Sequence, residues 1–240
     1  MKIGPTYPEK QKKVKIKKCL LTLYPNTDVI STAVREKVDF IITYMMPSIW
    51  INQITDEVYS KMQILLENRI YIYKIPEEWI SIKYGLIEII SDVLNLKITN
   101  LLRVGIESTQ STVIGRICQT TTSKSILIDL LTLIKDKLNL STIQYLGDLD
   151  SPIQQIAIII GHPLTSNVLK LVKRINIDTI ICENFTYDIE KLAEELDIIL
   201  LNVTKYIVNL GLLKLSQALR MEQPNIEFIF FNLKPSVKTF

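Results

Sequence analysis

The chain has 240 residues, of which 48% are hydrophobic and 22% charged, and its net charge is +3. That much apolar material excludes a disordered chain and is enough for one large core or two modest ones. Mean hydropathy is +0.22, yet no apolar run approaches the ~18 uninterrupted residues of a spanning helix. Lysines cluster at Lys10, Lys12, Lys13, Lys15, Lys17 and Lys18. With no aromatic residues interleaved, the cluster reads as a solvated tail leading into an edge strand, and nucleic acid is not an expected partner. The basic start lacks the apolar segment of a secretory signal, so a cytoplasmic location is expected, with no membrane association.

Val14–Tyr24 alternates and then turns continuously apolar, which predicts a strand ended by Pro25-Asn26-Thr27-Asp28. Thr27 or Asp28 can cap a helix over Val29–Lys37. Asp39–Tyr44 is short and β-branched, the pattern of a strand buried on both faces. Thr55–Asn68 has helical spacing, Ile70–Ile75 reads as a strand stopped by Pro76, and Tyr84–Leu94 as an apolar-faced helix. This β-α-β-α-β-α order predicts a parallel or mixed sheet covered by helices.

From Ile98 the pattern changes. Val104–Thr112 is polar, and a crossing between two lobes is placed near Ser108–Ser111. Beyond it, helices are predicted over Ser125–Leu138, Asn167–Arg174, Ile189–Glu195 and Lys205–Arg220. Strands are predicted over Ile143–Leu146, Ile153–Ile160, Thr179–Cys182, Ile198–Val203 and Ile226–Phe231. The expected fold is α/β and two-lobed, with mixed sheets covered by helices. Residues 1–110 with 198–240 form one lobe and 111–197 the other. No repeat of solenoid period is visible.

The seven glycines are isolated, so no phosphate-cradling loop exists. His162 is the one histidine of the chain, set between a strand and a helix, where a tight turn explains it better than catalysis does. Cys19, Cys118 and Cys182 are widely spaced and read as buried free thiols. An all-carboxylate magnesium site could draw on Glu77, Glu78, Glu183 and Asp188, since Glu77 and Glu183 follow strands at the end where α/β sheets place ligands. Adjacent acids at strand ends are more often simply solvated.

The run Lys15–Trp50 resembles the NGG-interacting-factor-three-like family, also described as GTP cyclohydrolase I type 2 homologues. Its members carry a strand, a helix and then a strand ending in two histidines and a proline. Here the corresponding segment is Asp39-Phe40-Ile41-Ile42-Thr43-Tyr44 followed by Met45-Met46-Pro47. Further matches follow in order: LLENRIYIY, Gly85-Leu86 with its helix, Gly115-Arg116-Ile117, IQQIAIIIG and IDTIICENFTYD. The resemblance runs from about Val14 to Pro235.

The resemblance implies a two-metal hydrolase site of histidines and carboxylates, with metal-bound water as nucleophile. It also implies toroidal hexamers built as trimers of dimers. The ligand positions correspond here to Met45, Met46, Pro76, Ile80, Thr204 and Val208, none of which is a histidine or a carboxylate. The family's usual N-terminal helix is absent or reduced to the basic tail. The expectation is therefore a protein without a metal or other cofactor, non-catalytic, acting as a homo-oligomeric structural, interaction or ligand-binding protein. A protein partner or a small molecule would be bound through a cleft that includes Tyr44, Glu77, His162, Glu183, Lys205 and Tyr206, beside the apolar Met45, Met46, Trp50 and Trp79. Paired methionines could hold a soft metal only with more sulfur nearby, and core packing explains them better. The alternative is a magnesium-dependent hydrolase of nucleotides or phosphate esters with a remodelled site.

Overall fold

A computed structural model describes residues 2–3, 14–46, 55–105, 111–121, 125–140 and 142–235. In chain order its strands and helices are β1 (Lys2–Ile3), β2 (Lys18–Thr22), α1 (Thr27–Arg35), β3 (Phe40–Thr43), α2 (Asp56–Glu67), β4 (Tyr71–Lys74), α3 (Leu86–Val93), β5 (Lys97–Val104), β6 (Thr112–Gln119), β7 (Ser125–Ile126), α4 (Leu127–Leu138), β8 (Gln144–Leu146), β9 (Pro152–Ile153), β10 (Gln155–Ile159), α5 (Ser166–Arg174), β11 (Thr179–Cys182), α6 (Tyr187–Glu195), β12 (Ile199–Asn202), α7 (Val208–Glu222) and β13 (Glu227–Phe231). Short 3-10 turns precede α3 at Glu77–Ile80 and α7 at Lys205–Ile207.

The chain forms two compact units: Met1–Pro76 with Val208–Val237, and Glu77–Ile207 with Lys238–Phe240. It thus leaves the first unit after Pro76 and re-enters it at Val208, whereas the sequence reading placed its lobe boundaries at 110/111 and 197/198.

The first unit holds a five-stranded sheet in the order β1-β4-β3-β2-β13, in which β4, β3, β2 and β13 are parallel and β1 is antiparallel. Helix α1 starts two residues earlier than the sequence suggests, at Thr27 rather than Val29. Asn26, not Thr27 or Asp28, is the cap, and its Oδ1 accepts the Val29 N–H at 3.0 Å. The buried face of α1 (Val29, Ile30, Ala33) and of α2 (Val58, Leu65) packs on Leu20, Ile41 and Ile72. Each such fully buried Leu or Ile contributes roughly 1.5–3 kcal/mol. On a second cluster, Cys19, Leu21 and Phe228 pack against Leu215 and Leu219 of α7.

The second unit holds a six-stranded sheet, β5-β6-β10-β11-β12-β8, with β10, β11 and β12 parallel in its middle. These three strands are buried almost throughout, which accounts for their unbroken apolar runs. β5 and β6 are eight-residue antiparallel strands. No strand is expected here from sequence, where only a change of pattern from Ile98 and a polar stretch over Val104–Thr112 are visible, because β5 is mostly exposed and reads as KITNLLRV. The single strand expected over Ile153–Ile160 is two: β9 pairs with β7, and β10 joins the sheet. The last expected helix begins three residues late, because Lys205–Ile207 is a 3-10 turn.

The two units repeat one motif. In the first, β2-α1-β3-α2-β4 is followed along the chain by a 3-10 turn and a helix (α3) that belong to the second; in the second, β10-α5-β11-α6-β12 is followed by a 3-10 turn and then by α7, which belongs to the first. Strand registers correspond: Cys19, Phe40 and Tyr71 are aligned in one sheet, Ile156, Thr179 and Ile199 in the other. The same clasp recurs as well. Asp39 Oδ2 accepts the Lys17 and Lys18 N–H groups at 2.8 and 2.9 Å, and Asp178 Oδ2 accepts those of Gln154 and Gln155 at 3.0 and 2.9 Å. Helices α1 and α5 end alike, on Lys37 and Asn176 in the left-handed region. Tyr44 therefore corresponds to Glu183, Met45-Met46 to Asn184-Phe185, Pro76 to Thr204 and Glu77 to Lys205.

Candidate functional site

The six positions at which the resemblance implies metal ligands are distributed as follows. Met45 is half-buried and follows β3; its N–H donates to the Leu23 carbonyl at 2.9 Å, and its own carbonyl accepts the Thr43 hydroxyl at 2.8 Å. Met46 is buried in the apolar cluster of Val29, Val58 and Ile72. Pro76 is exposed, Ile80 and Val208 are buried, and Thr204 is half-buried. Together these side chains offer two thioethers, one hydroxyl and no imidazole or carboxylate. That donor set does not fit the family's nitrogen- and oxygen-ligated metals. Among the described residues, no three His, Cys, Asp or Glu side chains gather as a metal site would require. Pro47 and Trp50, also part of the expected turn, lie outside the described residues.

Of the six residues expected to form a ligand cleft, Glu77, His162, Glu183, Lys205 and Tyr206 lie in the second unit, and the structure brings two of them into contact. Glu183 follows β11 and Lys205 follows β12; Lys205 Nζ is 3.9 Å from Glu183 Oε2. Glu183's side chain is only 9% exposed, and its Oε1 is buried without a hydrogen-bond partner. Burial pushes the carboxyl above its ordinary range; the Lys205 charge and the Gly161 backbone N–H pull the other way without cancelling it. Gly161 and His162 follow β10. His162 is half-buried, with Nδ1 3.0 Å from the Pro163 carbonyl oxygen. All these groups sit at the C-terminal ends of adjacent parallel strands, where open α/β sheets carry their ligands.

The turn after β12 is held in an unfavourable conformation. Thr204 has φ +60°, which crowds a β-branched side chain. Asn202 fixes it: its Oδ1 accepts the Thr204 N–H at 2.9 Å, and its Nδ2 donates to Gln144 Oε1 at 2.9 Å. The result sets Lys205 at the start of its 3-10 turn, with half-buried Tyr206 next to it. Gly161, Asn202 and the conformation of Thr204 were not singled out from sequence. A threonine in the left-handed region has no sequence signature, and Gly161 drew attention only as the residue before His162.

Tyr44 is buried in the first unit, directly after β3. Glu77 and Glu78 are exposed in the 3-10 turn that begins the second unit, and Asp188 is exposed in the first turn of α6. The three cysteines are free and buried, as expected, and burial pushes the Cys19, Cys118 and Cys182 thiols up to about 12, 11 and 12.

A two-unit α/β chain with parallel strand ends of this kind defines a class seen in several solved structures. The chain belongs to the Duf34/NIF3 (NGG1p interacting factor 3) family, which it matches over residues 9–236. The structure of protein ybgI, described as of unknown function, shares its fold at TM-score 0.78 and 15% identity, covering 94% of this chain and 87% of that one. Reduced HcgD from Methanocaldococcus jannaschii has TM-score 0.73 and 24% identity, with 91% and 84% covered. A Bacillus cereus protein related to NIF3 has TM-score 0.78 and 11% identity, with 94% and 89% covered. No curated protein matches the chain significantly. Among the described residues no helix is long and apolar enough to cross a membrane.

Proposed function

We propose that this chain is a metal-free, non-catalytic member of the Duf34/NIF3 family that acts as a homo-oligomeric structural, interaction or ligand-binding protein. One observation carries the reading. Where the resemblance implies metal ligands, Met46, Ile80 and Val208 are packed away from solvent as apolar side chains, and Met45, Pro76 and Thr204 supply no nitrogen or carboxylate donor. Elemental analysis of purified protein tests it: less than stoichiometric transition metal is expected, and two tightly bound ions per chain would overturn it. The family's toroidal hexamer, a trimer of dimers, is the assembly proposed. Analytical ultracentrifugation tests that part, with a monomer at micromolar concentration as the contrary result.

A second reading, a magnesium-dependent hydrolase of nucleotides or phosphate esters, draws on the buried Glu183 carboxylate at a strand end beside Lys205. It requires that Glu77→Gln and Glu183→Gln together abolish a measured hydrolysis; activity unchanged in that double variant removes it.

A further inference from the structure

We propose that the strand ends of the second unit bind a small zwitterion, a molecule carrying both a primary ammonium group and an anionic group, with the ammonium held by Glu183 and the anion by Lys205. The inference rests on the ligand-binding part of the function proposed above, and not on the fate of the metal positions.

Glu183 supplies the first half of the site. Its Oε1 is buried and has no hydrogen-bond partner, and buried carboxylate oxygens are ordinarily satisfied. An ionised carboxylate only accepts, so what completes it must donate. Lys205 supplies the second half. At 3.9 Å its Nζ lies beyond hydrogen-bond distance of Oε2, and its side chain is 44% exposed. Its donors therefore remain available to an anionic group. A simple cation would meet Lys205 and a simple anion would meet Glu183, each with repulsion. A ligand of both charges, the two a few bonds apart, meets attraction at both ends.

The repeated motif sharpens the assignment. At the equivalent positions after β3 and β4 stand Tyr44, Pro76 and Glu77. An opposite pair of charges at these strand ends is therefore particular to the second unit. Tyr24 of the first unit corresponds to Gly161, whose backbone N–H favours the Glu183 carboxylate while Oε1 stays without a hydrogen bond. Gly161 has φ +73°, a conformation that glycine tolerates best, and it brings a backbone donor rather than a side chain up to the acid.

Glycine, the smallest such zwitterion, is the probe, with methylammonium and acetate as its single-charge halves. Titration of the full chain would be followed by the Gly161 amide and by the ring of His162, whose signal is unique because the chain has one histidine. Saturable perturbation of both by glycine, with a dissociation constant on the order of 1 mM, is expected. Glu183→Gln and Lys205→Met should each weaken it roughly ten- to hundredfold, because each removes a charge-assisted hydrogen bond. Unchanged thermal unfolding of Lys205→Met would show that the loss is not one of folding. The proposal is overturned if glycine fails to saturate, if either half binds as tightly as glycine, or if both variants bind as the parent does. Bound metal found in the purified protein would count against the metal-free reading alone.

Discussion

Arg116 Nη2 lies 2.9 Å from Glu88 Oε1, and this pair joins the sheet of the second unit to its helix α3. The guanidinium is 3% exposed and uses its fork fully: Nε also donates to Glu88, Nη1 to the Gly115 carbonyl and Nη2 to the Ser81 carbonyl at 2.6 Å. Burial pushes the Glu88 carboxyl up, but the Tyr84 N–H, Arg116 and Lys83 outweigh it and leave it below its ordinary range. Arg116→Met should destabilise the fold by about 2–3 kcal/mol, less than for a wholly buried pair because water reaches Glu88. Urea unfolding measures it, and Arg116→Lys should recover little, since lysine has no planar fork.

Gly115, next to it, is required for space. A Cβ there would press into the Ile158 backbone carbonyl across the β6–β10 pairing, inside any real contact distance. Gly85 is similar: a Cβ would meet the Trp79 carbonyl, and also the Ile82 carbonyl at 2.9 Å. Backbone atoms in a sheet or a helix start cannot move aside as a flexible side chain would. Gly115→Ala and Gly85→Ala should each cost about 3 kcal/mol or more, read as a fall in thermal midpoint.

Thr204 offers the opposite sign. Its left-handed backbone costs a β-branched residue about 1–2 kcal/mol, and asparagine tolerates that conformation far better. Thr204→Asn should therefore raise the thermal midpoint by roughly 2–4 °C. A fall instead would mean that the Thr204 hydroxyl supports the turn after β12.

Glu183 makes stability depend on pH. Its folded pKa lies above its unfolded value, so its contribution is fully present below the unfolded pKa and is lost as pH rises through the folded one. The parent should thus lose stability as pH rises from about 4.5 toward neutrality, through this group. Glu88 acts oppositely: its folded pKa is depressed, so its stabilisation is present above its unfolded pKa and disappears as pH falls through the folded value. Glu183→Gln should raise stability at pH 7 and flatten the upper part of the profile, leaving the acid-side loss due to Glu88 in place. An identical pH profile in the variant would contradict this.

Much of the fold was legible because its central strands obey simple rules. FIIT, TIIC and ILLN are β-branched or apolar runs bounded by helices, and the alternation of elements implies parallel sheets. β5 was hidden because an exposed edge strand has no apolar signature; its fourth residue, Asn100, belongs equally well to a loop. The repeat of the first unit in the second was hidden too. Its evidence lies in registers and in the Asp39 and Asp178 clasps, while the aligned residues share little chemistry. At the site, Glu183 and Lys205 were named from their places after strands. Their contact, the unpaired Oε1 and the conformation of Thr204 depend on turn geometry that sequence patterns do not encode.

The late return of the chain to its first unit sets an order of completion during synthesis. The sheet that contains β2 is finished only when β13 pairs beside it and α7 packs against both. Every strand and helix of the second unit is made in between. At ribosomal rates the first-made strands wait on the order of ten seconds for their last neighbour. A nascent chain stopped after Ile207 would present all the elements of the second unit, while the β2 edge of the first stayed open. Strand β2 is thus among the last to be secured, and during that interval its bare edge is where a wrong strand, or a chaperone, would find it.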